Sequence, residues 1–463
     1  MSGKVKNMTE GNPVRLIAAF AFPLMLGNIF QQLYTVVDTM VVGRVLGVQA
    51  LAALGASDWL NWMILGIVSG FAQGFSIKLA QEFGAGNMGK LRKALALSIE
   101  LAVIAAIVLL IISQVFLEGI LTIMNTPADI IGNSILYLRI LFMGIPLLMI
   151  YNMSASILRA LGNGRAPLYA MIISSLVNIG LDIWFVAYLN MGIAGAAIAT
   201  VIAEGCSALY CVLVVRRISY LNLKQSKEEK ERDSYWKLEG RLVGRLLLLG
   251  VPIAFQSIVI SVGGLVVQSV VNGFGVAFIA GFTATNKLYG VLEVAATAYG
   301  FAITTYTGQN LGAGNIKRIK EGMRAGIIVA AATSLVISLV MILFGKHIVS
   351  LFITGNPAQV QEAVTIAYHF LLVLSCPLMI LYFLYIYRSA LQGMGDTLIP
   401  MLSGVAEFVM RIGAVLILPG IFGAEAVFFA EVAAWAGADV ILITAYYVRV
   451  NILTKKFRLH ALE

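Results

Sequence analysis

Charge is scarce in this chain. Of its 463 residues only 12% are Asp, Glu, Lys or Arg, about half the roughly 25% of a soluble globular domain. So little charge cannot dress a water-facing surface, and that excludes a free soluble enzyme or nucleic-acid binder. Cysteine is scarce too. Cys206, Cys211 and Cys376 all lie inside apolar runs, and their spacing fits neither a disulfide framework nor a zinc site. The three histidines, His347, His369 and His460, are scattered, with no metal-ligand spacing. The chain has no Ser-His constellation, no His-Glu-x-x-His and no phosphate-cradling glycine loop with a nearby lysine. No enzyme activity, cofactor or resident metal is expected. Met1–Arg15 is polar and lacks an apolar region followed by a cleavage site, so the first apolar run reads as the insertion signal.

What the chain has in abundance is apolar residues, 60% of the total. They fall into runs of the ~20 residues that cross ~30 Å of hydrocarbon as a helix. Breakers and hydropathy place twelve spans near 16–40, 50–78, 94–117, 131–157, 168–189, 193–215, 246–271, 277–307, 323–345, 362–387, 398–418 and 424–448. The fold class is therefore an all-α polytopic membrane protein. Lys and Arg gather at Lys4, Lys6 and Arg15, at Lys90, Arg92 and Lys93, and at Arg159 and Arg165. They gather again from Arg216 to Arg245, at Lys317, Arg318, Lys320 and Arg324, at Arg388, and from Arg449 to Arg458. The opposite loops hold little beyond Arg44 and Lys346. That alternation puts both termini in the cytoplasm by the positive-inside rule. The net charge of +9 then faces anionic lipid, and nucleic acid is not an expected partner.

The chain is also written twice. Gln81-Glu82-Phe83-Gly84-Ala85-Gly86-Asn87 returns as Gln309-Asn310-Leu311-Gly312-Ala313-Gly314-Asn315, each copy followed by a basic cluster. Pro23 returns as Pro252, Pro146 as Pro377, and the glycine loop before Pro167 as the one before Pro400, at an offset that stays near 230. A constant offset is the mark of duplication. The expected layout is an N-terminal six-helix lobe over 1–220, a cytoplasmic linker over 221–241 and a C-terminal six-helix lobe over 242–463. Two six-span halves of like orientation imply pseudo-two-fold symmetry along the membrane normal, with a site where the halves meet.

Ionisable groups in hydrocarbon cost at least ~2.5–3.5 kcal/mol each and so mark function. Span 1 lines up Asn28, Gln31, Thr35 and Asp38 on one helical stripe, with Tyr34 beside them. Span 5 carries Asn178 and Asp182 one turn apart, and span 6 carries Thr200 and Glu204 at the same spacing. The counterparts of Asp38, Asn178 and Asp182 in the second half fall at Val267, Arg411 and Val415. That half has its own Glu293, Glu407, Arg411, Glu431 and Asp439, of which Glu407 and Arg411 read as an i,i+4 pair. The half whose acids are uncompensated by a base is thus the first one, as a cation-coupled carrier requires.

The twin Gly-Ala-Gly-Asn loops, the glycine loops after spans 4 and 10, the twelve spans and the mid-chain linker resemble the multidrug and toxic compound extrusion (MATE) transporters over nearly the whole chain. Pro23 followed fifteen residues later by Asp38, the Asn-x-x-x-Asp of Asn178 and Asp182, and Thr200 match the DinF-like and MepA-like bacterial branches. The resemblance implies a cation-coupling network of Asp38, Asp182, Asn178, Thr200, Glu204 and Asn152, with Pro23 as a bending point. It implies no catalytic residue and no metal beyond a Na⁺ at Asp38 and Asp182. Asn28, Gln31, Tyr34, Thr35, Gln256 and Glu293 are the candidate substrate-cavity residues. The acidic residues that the NorM-like branch uses on spans 7 and 10 have no match, and Gln256 stands at the comparable place on span 7. The expected activity is H⁺- or Na⁺-coupled antiport of lipophilic, often cationic drugs or toxic organic compounds by alternating access. The expected setting is the bacterial plasma membrane, with the protein as a monomer. The alternative is a lipid-linked precursor flippase of the same wider superfamily.

Overall fold

The computed structural model describes residues 5–124, 126–218, 221, 235, 236, 239–353 and 357–460. The linker expected over 221–241 falls almost wholly outside them. The described chain folds into fourteen α-helices. The first seven are α1 (Pro13–Leu46), α2 (Val48–Gly84), α3 (Met88–Ile123), α4 (Ile131–Met143), α5 (Ile145–Ala160), α6 (Arg165–Asp182) and α7 (Gly192–Arg216). The second seven are α8 (Gly240–Val271), α9 (Val276–Gly312), α10 (Ile316–Ser350), α11 (Pro357–Ser375), α12 (Leu378–Gly393), α13 (Leu398–Phe422) and α14 (Phe429–His460).

Local chemistry sets the boundaries. Asn12 Oδ1 accepts the Arg15 N–H at 3.2 Å and Pro13 takes the first position of α1, where a missing N–H costs nothing. Asn87 and Asn315, the last residues of the two repeated loops, cap α3 and α10 by accepting from Lys90 N and Arg318 N, each at 3.1 Å. The glycine before each cap, Gly86 or Gly314, has a φ of 69° or 71°, a left-handed turn that glycine makes without strain.

Nine helices among the described residues are long and apolar enough to cross a membrane alone. Two further spans are bent pairs, α4–α5 at Gly144 and α11–α12 at Cys376–Pro377, each with a 48° bend. They bring the total to eleven. The twelfth is α9, which is 37 residues long but carries Thr283, Thr285, Asn286, Lys287, Glu293 and Thr297. Several helices run 34–37 residues, about 50 Å at 1.5 Å per residue. They overrun the hydrocarbon, which is why hydropathy places their ends too early.

Burial is inverted relative to a soluble protein. On α3 the residues Ile104, Ile107, Ile111 and Val115 form one exposed stripe. On α10 the residues Ile328, Leu335, Leu339 and Leu343 do the same, and the buried face of α10 holds Gly322, Ala325, Gly326, Ala330, Ser334 and Ser338. Large apolar side chains face lipid and small ones let helices approach.

The helices form two compact units. One comprises Met1–Asn7 with Phe22–Ala254, the other Met8–Ala21 with Phe255–Glu463. Both α1 and α8 therefore change unit along their length, next to Pro23 and Pro252, the prolines inside them. Within the first unit, α2 meets the early part of α8 on glycine. A Cβ on Gly74 would stand 2.4 Å from Gly250 Cα and 2.6 Å from Leu249 O, and one on Gly70 would stand 2.7 Å from Ala254 N. Backbone cannot yield as a side chain does. Gly74→Val should thus destabilise the protein by at least about 1–3 kcal/mol, read as a lower melting temperature in detergent; an unchanged value would contradict this crossing.

Candidate functional site

The helices of the first unit gather acidic and neutral oxygens in its interior. Asp38, on the second half of α1, is 8% exposed, and its Oδ1 has no hydrogen-bond partner. Asp182 is the last residue of α6, fully buried, with both carboxyl oxygens lacking a partner. The two carboxyls lie close enough to act on one another electrostatically. Each can only accept a hydrogen bond unless one of them is protonated.

One turn before Asp182, Asn178 Nδ2 donates to Thr200 Oγ1 at 3.2 Å, leaving Asn178 Oδ1 buried without a donor. Thr200 in turn donates to Ala196 O at 3.1 Å. Four buried oxygens of Asp38, Asn178 and Asp182 are thus acceptors without donors. A proton or a small cation is the complement such a set calls for. No group of three or more His, Cys, Asp or Glu suited to a metal occurs among the described residues, so a Na⁺ here would lean on neutral oxygens as well.

Two contributors were not foreseen from sequence. Tyr137 of α4, 7% exposed, sits within electrostatic reach of Asp38, Asp182, Asp58 and Tyr34. Its only sequence signal is a hydroxyl midway through an apolar span. The second is a wide π turn, Ile183–Tyr188, which begins directly after Asp182. π turns inside α-helical segments gather at functional sites, and no pattern in Ile-Trp-Phe-Val-Ala-Tyr announces this one.

Among the other expected residues, Tyr34 interacts with Gln31, Thr35, Glu204 and Asp38. It joins Glu204 of α7 to the α1 stripe. Gln31 and Thr35 are exposed and Asn28 is half-buried. Asn152 Nδ2 donates to Leu148 O at 2.9 Å. Pro23 is buried inside α1.

The second unit places its charges differently from the sequence expectation. Glu407 is bonded by Arg388 of α12, not by Arg411. Arg411 reaches α14 instead and meets Glu431 at 2.8 Å. The i,i+4 spacing loses because both partners find better-aligned charges on neighbouring helices. Arg388, read as a loop residue, lies inside α12 and is only 8% exposed. Glu293 accepts from the Tyr385 hydroxyl. Gln256 is 4% exposed and donates to Pro400 O at 2.8 Å, a tie between α8 and α13. Arg411 lies 233 residues after Asn178 and Glu431 lies 231 after Thr200. An ion pair therefore occupies the repeat position that a neutral hydrogen bond occupies in the first unit. Val267 and Val415, the counterparts of Asp38 and Asp182, are buried at 4% and 1% exposure.

Twelve helical spans with buried, partnerless carboxyl oxygens among them define a membrane carrier. The MatE family model matches residues 23–184 and 252–416, so the chain belongs to the MATE family of multidrug efflux transporters. It is similar to the probable multidrug resistance protein YoeA of Bacillus subtilis, with 31% identity over 78% of this chain and 76% of that protein. It is also similar to the multidrug export protein MepA of Staphylococcus aureus, with 21% identity over 89% of each chain. A MOP superfamily transporter from Pyrococcus furiosus shares the fold, with a TM-score of 0.89 at 22% identity over 97% of this chain and 99% of that one. An outward-facing MATE family transporter gives a TM-score of 0.88 over 98% of this chain and 99% of that one. This protein is a multi-pass membrane transporter.

Proposed function

We propose that this chain exports lipophilic, often cationic organic compounds from a bacterium in exchange for H⁺ or Na⁺, with Asp38 and Asp182 as the coupling pair. The observation that carries the reading is the buried, mutually facing carboxyls with no donor on Asp38 Oδ1 or on either oxygen of Asp182. Two like charges at close quarters in a dry interior cannot both persist. Loading a cation removes that penalty and lets the surrounding helices close. Releasing it restores the penalty and drives them apart. Each loading step thereby biases the carrier between its two faces.

Asn178 and Thr200 fix the α6–α7 register beside the pair. Glu204 and Tyr34 extend the polar stripe along α7 and α1. Pro23 breaks the α1 hydrogen-bond ladder just where the helix passes from one unit to the other, which suits a hinge. Pro23→Ala should slow efflux about tenfold or more without preventing folding, measured as dye efflux against melting temperature; normal efflux would remove the hinge. The plasma membrane with both termini inside is the setting that the Lys and Arg distribution supports.

The test is ethidium efflux from proteoliposomes under imposed pH and Na⁺ gradients. Efflux driven by either ion supports antiport. A gradient-independent protein that instead moves a lipid-linked sugar across the bilayer would make it a flippase. That second reading is disfavoured by Arg388 and Arg411, which are engaged by Glu407 and Glu431 and not free to hold a pyrophosphate.

A further inference from the structure

The repeated Gln-x-x-Gly-Ala-Gly-Asn loop lies outside the coupling network proposed above, yet the second copy is occupied. Gln309 and Asn310, both fully buried, hold one residue of the chain's own lead-in by its backbone. Met8 N donates to Gln309 Oε1 at 2.8 Å, and Asn310 Nδ2 donates to Met8 O at 3.1 Å. The rest of the loop brings up a third member. Gly314 turns the chain, Asn315 caps α10, and the first turn of α10 then presents Arg318. Arg318 Nε donates to Asn310 Oδ1 at 3.1 Å, and its terminal nitrogen donates to Met8 O at 3.3 Å and Gly11 O at 2.9 Å. The guanidinium lies 5.7 Å from the Tyr306 ring centre, within cation–π range.

This is a built site for a bent peptide segment, since both backbone groups of Met8 are read and an arginine spans the carbonyls of Met8 and Gly11. Beside the first copy the contacts are between side chains and come from the helix that follows the loop. Its basic cluster holds the lead-in to α8, with Arg92 meeting the Tyr235 hydroxyl at 3.5 Å and Lys93 meeting Glu239 at 2.9 Å. In both copies the segment contacted lies just before a helix that changes unit along its length.

We propose that the Gln309–Asn310–Arg318 clasp on Met8–Gly11 is a latch that opens in each transport cycle. Covalent continuity supplies the reason. Met8–Ala21 belongs to the second unit, while the chain on both sides of it, up to Asn7 and from Phe22, belongs to the first. Lys6 is already held there, its N–H donating to Leu161 O at 3.2 Å and its carbonyl lying where a Cβ on Gly162 would stand, at 2.1 Å. With one residue between the two docks, relative movement of the units has no slack to draw on, and one dock must release. The clasp rests on contacts within one unit. Its role as a latch rests on the alternating access proposed above.

The test uses the full chain with Cys206, Cys211 and Cys376 changed to Ala and Met8→Cys as the reporter. Met8 contributes only its backbone to the clasp and its side chain is fully buried, so a membrane-impermeant maleimide reaches Cys only when the lead-in lets go. Labelling is expected to be slow at rest. Arg318→Ala should accelerate it about tenfold, the factor set by the loss of ~1.4 kcal/mol or more of charge-assisted bonding, and Arg318→Lys should restore part of the protection. Labelling should also rise during ethidium turnover. An Arg318→Ala rate equal to the parent's overturns the clasp, and a rate indifferent to turnover overturns the latch. If Asp38→Asn turns over and labels like the parent, the latch stands and the coupling role of Asp38 falls.

Discussion

Asp38→Asn and Asp182→Asn will each abolish uphill efflux. With one proton exchanged per dye, a two-unit pH step sustains a dye gradient of up to about 100-fold, because each unit supplies ~1.36 kcal/mol; a 100-fold Na⁺ gradient is equivalent. Either substitution converts a titratable, cation-binding acceptor into an amide that stays neutral. The remaining carboxyl loses its like-charged neighbour, and with it the penalty that drives opening. Steady-state ethidium gradients should collapse to near unity in both variants, while equilibration down the dye's own gradient survives. That split separates lost coupling from lost folding. Both variants holding the parent's gradient would end this account of the site. Substitution at Val267 or Val415, the paired positions of the second unit, is expected to leave the gradient intact.

The second large effect concerns stability. Arg388→Leu strands Glu407, which is 4% exposed, as a charge without its base. Removing one partner of a buried pair typically costs about 3–5 kcal/mol, and melting temperature in detergent should fall accordingly. Replacing both partners, Arg388→Leu with Glu407→Leu, should recover most of that loss, since two apolar groups need no counterion. A single variant as stable as the parent, or a double variant no better than the single, would show that the pair does not hold α12 to α13. The same logic applied to Arg411 and Glu431 tests the α13–α14 tie.

The frame of this protein was legible in its residues because hydrocarbon imposes a simple rule. Every span must be a helix and nearly every buried charge must be answered. Hydropathy and breakers locate the spans, even α9, which fails a strict apolarity test. The stripe of Asp38, the Asn178–Asp182 turn and Thr200 could be aligned by helical periodicity alone, and the structure brings those helices together. Periodicity is blind to which neighbouring helix supplies a partner. Periodicity therefore pairs Glu407 with Arg411, and it makes Arg388 a loop residue because a positive charge ordinarily ends a span. Tyr137 and the π turn after Asp182 depend on packing of α4 and α6 that no local pattern encodes. The Gly-Ala-Gly-Asn repeat was visible at once as a duplication mark. Its clasp was not, because the segment it holds lies 300 residues away in sequence.

The most direct measurement of the central claim is the number of cations displaced when dye binds to the purified protein, read as H⁺ released into weak buffer or Na⁺ released to an electrode. The account predicts about one cation per protein molecule in the parent and none in Asp38→Asn/Asp182→Asn, with dye still bound. Equal release from the double variant would contradict it.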